Sequence, residues 1–276
     1  WSRGLGDVYK RQPSVERVQV INRKAQSIAF MELPERTFGD APIPLTAQAS
    51  SGLDVSFAVL SGPARVEAGS LVLLGGGSVV VRATQAGDLN YLPAPDVDQP
   101  MLVKRQAQSI AFGEFAGRVF GDAPVPLEAR ATSDLPVAFE LISGPGALRE
   151  GRTLAILGAG TLVVRATQVG DVNYLPAEAV DRVLVVARKA QGISFPELVS
   201  KTFGDAPFPL LGTSGSALPV TFTILSGPAS LEGGTLVILG AGSVVVRASQ
   251  GGDGNYLPAA SVDLSLIHIS EPTRPE

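Results

Sequence analysis

The stretch from Ser61 to Ala94 reads SGPARVEAGSLVLLGGGSVVVRATQAGDLNYLPA. It returns from Ser143 to Ala177 as SGPGALREGRTLAILGAGTLVVRATQVGDVNYLPA, and from Ser226 to Ala259 as SGPASLEGGTLVILGAGSVVVRASQGGDGNYLPA. A period of roughly eighty residues is too long for a solenoid repeat and suits small domains in tandem. Inside the stretch the apolar residues alternate: Val79, Val81 and Ala83 share one face of a strand, and Val80, Arg82 and Thr84 share the other. Leu162, Val164 and Ala166, then Val244, Val246 and Ala248, repeat the apolar face. Each series ends on a small residue, where a close neighbour is expected to pack.

Working outward, the same period-two pattern appears at Ile28 and Phe30, at Ile110 and Phe112, and at Ile193 and Phe195. An FGDAP turn follows at Phe38–Pro42, Phe120–Pro124 and Phe203–Pro207. There Gly permits positive φ, Asp can bond its own backbone, and Pro bars a central-strand position. Val55, Phe57 and Val59, with Val137, Phe139, Leu141 and Val220, Phe222, Ile224, form the face of another strand that the SGP turn closes. Short strands near Ala64–Glu67 and Leu71–Leu74 and a last strand around Val97–Val103 complete the unit. Six or seven short strands with turns every eight to twelve residues, and no sustained helical periodicity, predict an all-β fold. We expect tandem Ig-like antiparallel β-sandwich domains in a beads-on-a-string array.

Composition agrees. The 276 residues are 45% hydrophobic and 17% charged, with 31 Gly and 21 Pro, which suits strands joined by turns and argues against disorder. No apolar run reaches the roughly 20 residues of a membrane helix, so no membrane segment is expected in the chain. The net charge of −4 and scattered Lys and Arg give no basic footprint, so no nucleic-acid partner is expected. Cysteine is absent, which excludes disulfides and thiolate metal sites.

The ends differ from the rest. Residues 1–12, WSRGLGDVYKRQ, and 264–276, LSLIHISEPTRPE, match nothing in the repeats and look like translated sequencing-adapter DNA. They are set aside from fold reasoning. The only Trp, Trp1, and the only His, His268, lie inside them. Residues 13–23 align with the last strand of a repeat and read as that strand of a truncated preceding domain. Repeat 1 then covers 24–105, repeat 2 covers 106–188, and repeat 3 covers 189–263 with its last strand cut short. Leu264, Leu266 and Ile269 have the spacing to fill that edge whether or not the tail is natural.

Repeats that open on KAQxIxF, carry a TFGDAP-like turn, and continue through LPVxFxxxSGPA to GAGxVxVRAxQxGDxNYLPA resemble the tandem Ig-like repeats, including those called MBG domains, of large bacterial secreted and surface proteins. The resemblance spans Pro13 to Asp263. The first repeat departs from it at Gly75–Gly77, GGG for GAG, and at Leu53–Asp54, where Leu-Pro is usual. What the resemblance implies is a spacer or stalk at an extracellular or bacterial cell-surface location, whose partners are its neighbouring repeats.

Candidate chemistry is sparse. GDxNY sets Asp88, Asn90 and Tyr91 together, then Asp171, Asn173, Tyr174 and Asp253, Asn255, Tyr256. With Asp96, Asp98 or Asp181 nearby, these could offer oxygens to calcium. The plainer reading is an Asx turn leading to a Tyr that covers the sandwich edge, as a tyrosine corner does. That reading is preferred because no DxDxDG-type run exists, so no metal or other cofactor is expected. The glycine runs at Gly75, Gly158 and Gly240 lack a following Lys-Ser/Thr and precede a strand, so they read as turns rather than phosphate cradles. The repeats hold no His, Cys or Trp; a pair of carboxylates remains possible, as in glycosidases, but every recurring acid lies in a turn of a small module, and no catalytic residue is assigned. The chain is expected not to be an enzyme. Arg82, Arg165 and Arg247 recur on one outward face and read as solvated. The segments MELPER, GEFAGR and PELVSK vary between repeats and are where a surface glycan or protein would bind. Two other uses therefore stand beside the stalk: an adhesin module, and an accessory spacer of an extracellular enzyme.

Overall fold

The computed structural model describes residues 16–269. Residues 1–12 and the tail beyond Ile269 fall outside the described residues. Among those described there is no helix, and so none long and apolar enough to cross a membrane.

The first repeat holds nine strands: β1 Ile28–Phe30, β2 Arg36–Thr37, β3 Ile43–Pro44, β4 Ala47–Ala49, β5 Ser56–Ser61, β6 Ala64–Glu67, β7 Ser70–Leu73, β8 Gly77–Thr84 and β9 Val97–Lys104. They form a four-stranded sheet in the order β2-β9-β8-β5, a three-stranded sheet β3-β7-β6, and the pair β1-β4. Every pairing is antiparallel except β2 with β9. The count exceeds the six or seven expected because β2 and β3, which flank the FGDAP turn, have two residues each. Such stubs are too short to show a period.

The alternation of β8 decides which side is core. Val79, Val81 and Ala83 are fully buried, and they meet Met101 and Val103 from β9, Leu71 from β7, and Ile28 and Phe30 from β1 in one apolar cluster. Phe57 packs at its margin with its ring 5.3 Å from that of Phe30. The second and third repeats build equivalent clusters around Leu162, Val164, Ala166 and around Val244, Val246, Ala248. Burying such side chains contributes about 1.5–3 kcal/mol each and is what holds the layers together.

The SGP corner shows why glycine recurs there. β5 shifts register on β8 between Val59 and Ser61, a bulge that bends the strand, and the chain then leaves one sheet for the other. At the bend Gly62 has φ +97 and lies so close to β8 that a Cβ would meet the Ser78 carbonyl oxygen at 2.2 Å. Gly144 and Gly227 repeat the geometry, with a Cβ 2.3 and 2.2 Å from the Thr161 and Ser243 carbonyl oxygens. No other residue fits.

The two ends of the array differ. The described part of the segment read as a truncated last strand, Glu16–Arg23, forms no strand, and Val18, Val20 and Ile21 are 89%, 77% and 88% exposed. A strand needs a hydrogen-bonded neighbour, and no described strand pairs with this segment. At the other end the edge of the third repeat is filled as the spacing of the tail allowed: Val262–Ile269 pairs antiparallel with Gly242–Ser249, and Leu266 is 1% exposed inside the core. Leu264 and Leu266 lie opposite Val246 and Val244, so the period-two spacing of the tail is enough to fill the edge.

By contact density the chain divides into two units. One holds the described residues up to Gln106 together with Asp171–Leu175, and the other holds Ala107–Gly170 with the described residues from Pro176 onward.

Candidate functional site

The recurring polar residues gather around one loop, GDxNYL. In the third repeat Asp253 Oδ1 accepts from the backbone N–H groups of Asn255 and Tyr256, both at 2.8 Å, which is an Asx turn. Asp88 and Asp171 do the same in their repeats. The carboxylate is therefore spent on shaping the loop. Among the described residues no group of three or more His, Cys, Asp or Glu stands close enough to hold a metal ion.

What the turn presents is the Asn side chain and the Tyr ring. In the unit that contains the second and third repeats, Asn255 Oδ1 accepts the N–H of Ala159 at 2.8 Å, in the glycine turn of the second repeat. Tyr256 meets Phe120 of the second repeat's FGDAP turn edge to face, with centroids 5.5 Å apart at 83°. The connecting residue Lys189 is stitched to the same loop: its N–H donates to Asn255 O at 2.8 Å, and its carbonyl accepts from Leu257 N–H at 2.9 Å. Arg188 reaches Asp253 O at 3.5 Å. The loop of one repeat thus grips its predecessor through side chain, ring and connector.

The other unit contains the same grip. Asn173 accepts from Gly76 N–H at 3.0 Å, Tyr174 lies edge-on to Phe38 with centroids 5.6 Å apart at 87°, and Gln106 bridges to the 173–175 backbone. Small residues are needed in the receiving turn. A Cβ on Gly75 would stand 2.9 Å from Asn173 Oδ1, and one on Gly158 would stand 3.2 Å from Asn255 Oδ1. The tyrosines therefore do more than cover their own sandwich edge, and the GGG and GAG turns are sockets.

Behind each loop sits a buried amide network. Gln26 donates to Gln85 Oε1 at 2.8 Å and to Leu92 O at 2.7 Å, and it accepts from the Ser51 hydroxyl. Gln85 Oε1 also takes the N–H of Gly87. Gln191, Gln250, Ser216 and Gly252 repeat this, as do Gln108, Gln168, Ser133 and Gly170. Gln26, Gln168 and Gln250 are under 9% exposed. Buried amides are tolerable only when their hydrogen bonds are made, and these ones fasten the incoming chain to the loop that grips the previous repeat. The equal recurrence of Gln in otherwise apolar surroundings is the signal by which they are legible in the sequence.

The outward arginines are paired rather than simply solvated. Arg82, Arg165 and Arg247 each make a two-pronged contact with Asp98, Asp181 and Asp263 on the adjacent strand, at 2.7–2.8 Å. The hydrogen bond from Arg holds each carboxyl below the usual aspartate range. Asp98 and Asp181 are thus engaged away from the GDxNY loops.

A groove of about 790 Å³ runs beside β4 and is lined by Thr46, Gln48, Ser50 and Asp54 among others, with one carboxylate and no His or Cys. The variable segments 31–36, 113–118 and 196–201 stay largely exposed, with Met31 at 81% and Val199 at 70%.

No protein-family model and no curated protein matches the chain. Among solved structures, Drosophila N-cadherin EC1-3 is 15% identical over 91% of this chain and 99% of that one, at a TM-score of 0.32. The Sidekick-1 immunoglobulin domains 1-5 are 15% identical over 87% and 57%, at 0.36. Surface layer protein SbsC, domains 1-6, is 14% identical over 87% and 39%, at 0.28. The chain spans less than two thirds of the latter two.

Proposed function

We propose that this chain is a non-catalytic spacer of a bacterial secreted or cell-surface protein, built from MBG-type domains at 24–105, 106–188 and 189–263 that limit each other's bending. The observation that carries this reading is where the recurring chemistry lies. Asn255, Tyr256 and Lys189 are spent on joining the third repeat to the second, through contacts to Ala159 and Phe120. A short connector tied down on both sides permits little free tumbling. The recurring residues serve to hold one repeat on the next, which supports a role in position.

Small-angle scattering of the full chain at low concentration tests it. A rod whose cross-section is that of one domain is the expected result; a compact particle, or a distribution of freely jointed shapes, would overturn it. A second reading, adhesion through the variable segments, is favoured by the exposure of Met31 and Val199 outside the joint. Binding to a glycan or protein array that is lost when residues 31–36 and 196–201 are exchanged between repeats would establish it, and absence of binding would remove it.

A further inference from the structure

The three GDxNY loops share one frame and differ at one residue. After the Asp stands Leu89 in the first repeat, Val172 in the second and Gly254 in the third. Asp253-Gly254 is the only Asp-Gly step in the chain, and Asn-Gly does not occur. Leu89 and Val172 are 94% and 73% exposed, and a Cβ on Gly254 would meet nothing within 4 Å. Gly254 does not take positive φ. Neither backbone conformation nor a close approach asks for glycine at this position.

What Gly254 alters is the chemistry open to its neighbour. A side chain after Asp shields the intervening backbone nitrogen, and glycine leaves that nitrogen accessible. Asp253 and Gly254 are both exposed, so water reaches the pair. The Asx turn holds Asp253 Oδ1 2.8 Å from the nitrogens of Asn255 and Tyr256, and Asp253 N–H donates to Tyr256 O at 3.1 Å. The carboxyl is thereby folded back over the residues that follow it. The Gly254 N–H itself donates to no acceptor among the described residues, so no hydrogen bond has to break before that nitrogen reacts.

We propose that Asp253 is a site of spontaneous isomerisation to isoaspartate, and that this modification loosens the joint between the second and third repeats. The Gly254 nitrogen bonds to Cγ of Asp253, and the amide proton leaves as water with the hydroxyl of the protonated carboxyl. A five-membered succinimide results. Water then adds to the main-chain carbonyl carbon of Asp253 and breaks its bond to the Gly254 nitrogen. The former main-chain carbonyl becomes a free carboxylate, and the chain now runs through Cβ and Cγ. One water is lost and one gained, so the mass is unchanged, and no oxidant or cofactor enters. The backbone is one atom longer, and the carboxylate sits one carbon nearer the main chain. It no longer holds the Asn255 and Tyr256 N–H groups as the Asx turn does. Asn255 is carried away from the Ala159 N–H, and Tyr256 from Phe120. A half-buried N–H then loses its acceptor, which weakens the contact. Asp171, followed by Val172, keeps its turn.

Prolonged warm incubation of the full chain tests the proposal, with the synthetic peptide of residues 251–257 beside it as a clock. Peptide mapping and labelling by an isoaspartyl methyltransferase are expected to find isoaspartate at 253 and none at 88 or 171. Gly254→Val, at a position open to solvent, should leave the melting temperature unchanged and abolish the modification, and Val172→Gly should create it at Asp171. Hydrogen exchange at the Ala159 N–H should rise as isoaspartate accumulates. An intact Asp253 in the folded chain after the peptide has converted would overturn the site, as would equal conversion at Asp171, persistence in Gly254→Val, or an unmodified Asp171 in Val172→Gly. Isoaspartate at 253 with unchanged exchange at Ala159 would overturn the loosening. The modification goes beyond the spacer reading, and its failure would leave the scattering test of that reading untouched.

Discussion

The turn at Gly158–Gly160 and the turn at Gly240–Gly242 have the same sequence, GAG, and nearly the same backbone, yet one is covered and the other open. The covered turn receives Asn255 and sits beside the Phe120–Tyr256 pair, and the open one lies beside an exposed Phe203. The difference is therefore not in the residues of the turn. It lies in what is docked on it, and a local sequence can be identical in two places that experience different energies.

That comparison can be strained first where it should hold. Gly144→Ala and Gly227→Ala place a Cβ 2.3 and 2.2 Å from a carbonyl oxygen at positive φ, a feature internal to each repeat. Each is expected to cost about 2–5 kcal/mol from backbone strain and overpacking, and equally so in the two repeats. Urea unfolding that finds a large loss in one and little in the other would show that the repeats are not equivalent inside.

The next effect should separate the two turns. Asn255→Ala removes the acceptor for the half-buried Ala159 N–H and should lower stability by about 1–3 kcal/mol in the unit it joins. Asn90→Ala, at an exposed position, should stay within about 0.5 kcal/mol. Thermal unfolding of both variants side by side gives the answer. Smaller again, Phe120→Leu loses the edge-to-face pair with Tyr256 and is expected to cost about 0.5–1.5 kcal/mol, while Phe203→Leu is expected to be neutral.

The least effect belongs to the ion pairs, which should not distinguish the repeats at all. Asp181 and Asp263 are held below the ordinary carboxyl range by Arg165 and Arg247. A carboxyl whose folded pKa is depressed contributes stability that is fully present above its unfolded value, about 3.9, and is lost as pH falls through the folded value. Both pairs are largely exposed, so the loss is small. Carboxyl titration by NMR should find both below the free value. Asp181→Asn should remove the acid dependence at its own pair and leave that of Asp263 unchanged.

Much of this molecule is legible in the order of its amino acids. The strand from Gly77 to Thr84, with Val79, Val81 and Ala83 inward, follows from alternation alone, because one face of a strand must be apolar when a second layer covers it. The Asx turn at GDxNY is legible too, since Asp two and three residues ahead of backbone donors has few other uses. The destination of Asn and Tyr is not. Their partners, Ala159 and Phe120, stand in a different repeat, and no local pattern says which surface a loop will reach. The same is true of Arg165 and Asp181, 16 residues apart in sequence and opposed only once the register of two strands is set.

The order of residues was sufficient for the repeat, its strands, its turns and the inward face of each strand, because these depend on period-two burial and on backbone conformations that few residues can adopt. Tertiary structure alone decided that the recurring loop is a grip and that glycine turns are sockets. Those properties belong to pairs of surfaces brought together by the fold, and a hydrogen bond between them exists only at a distance and direction that chain order does not contain.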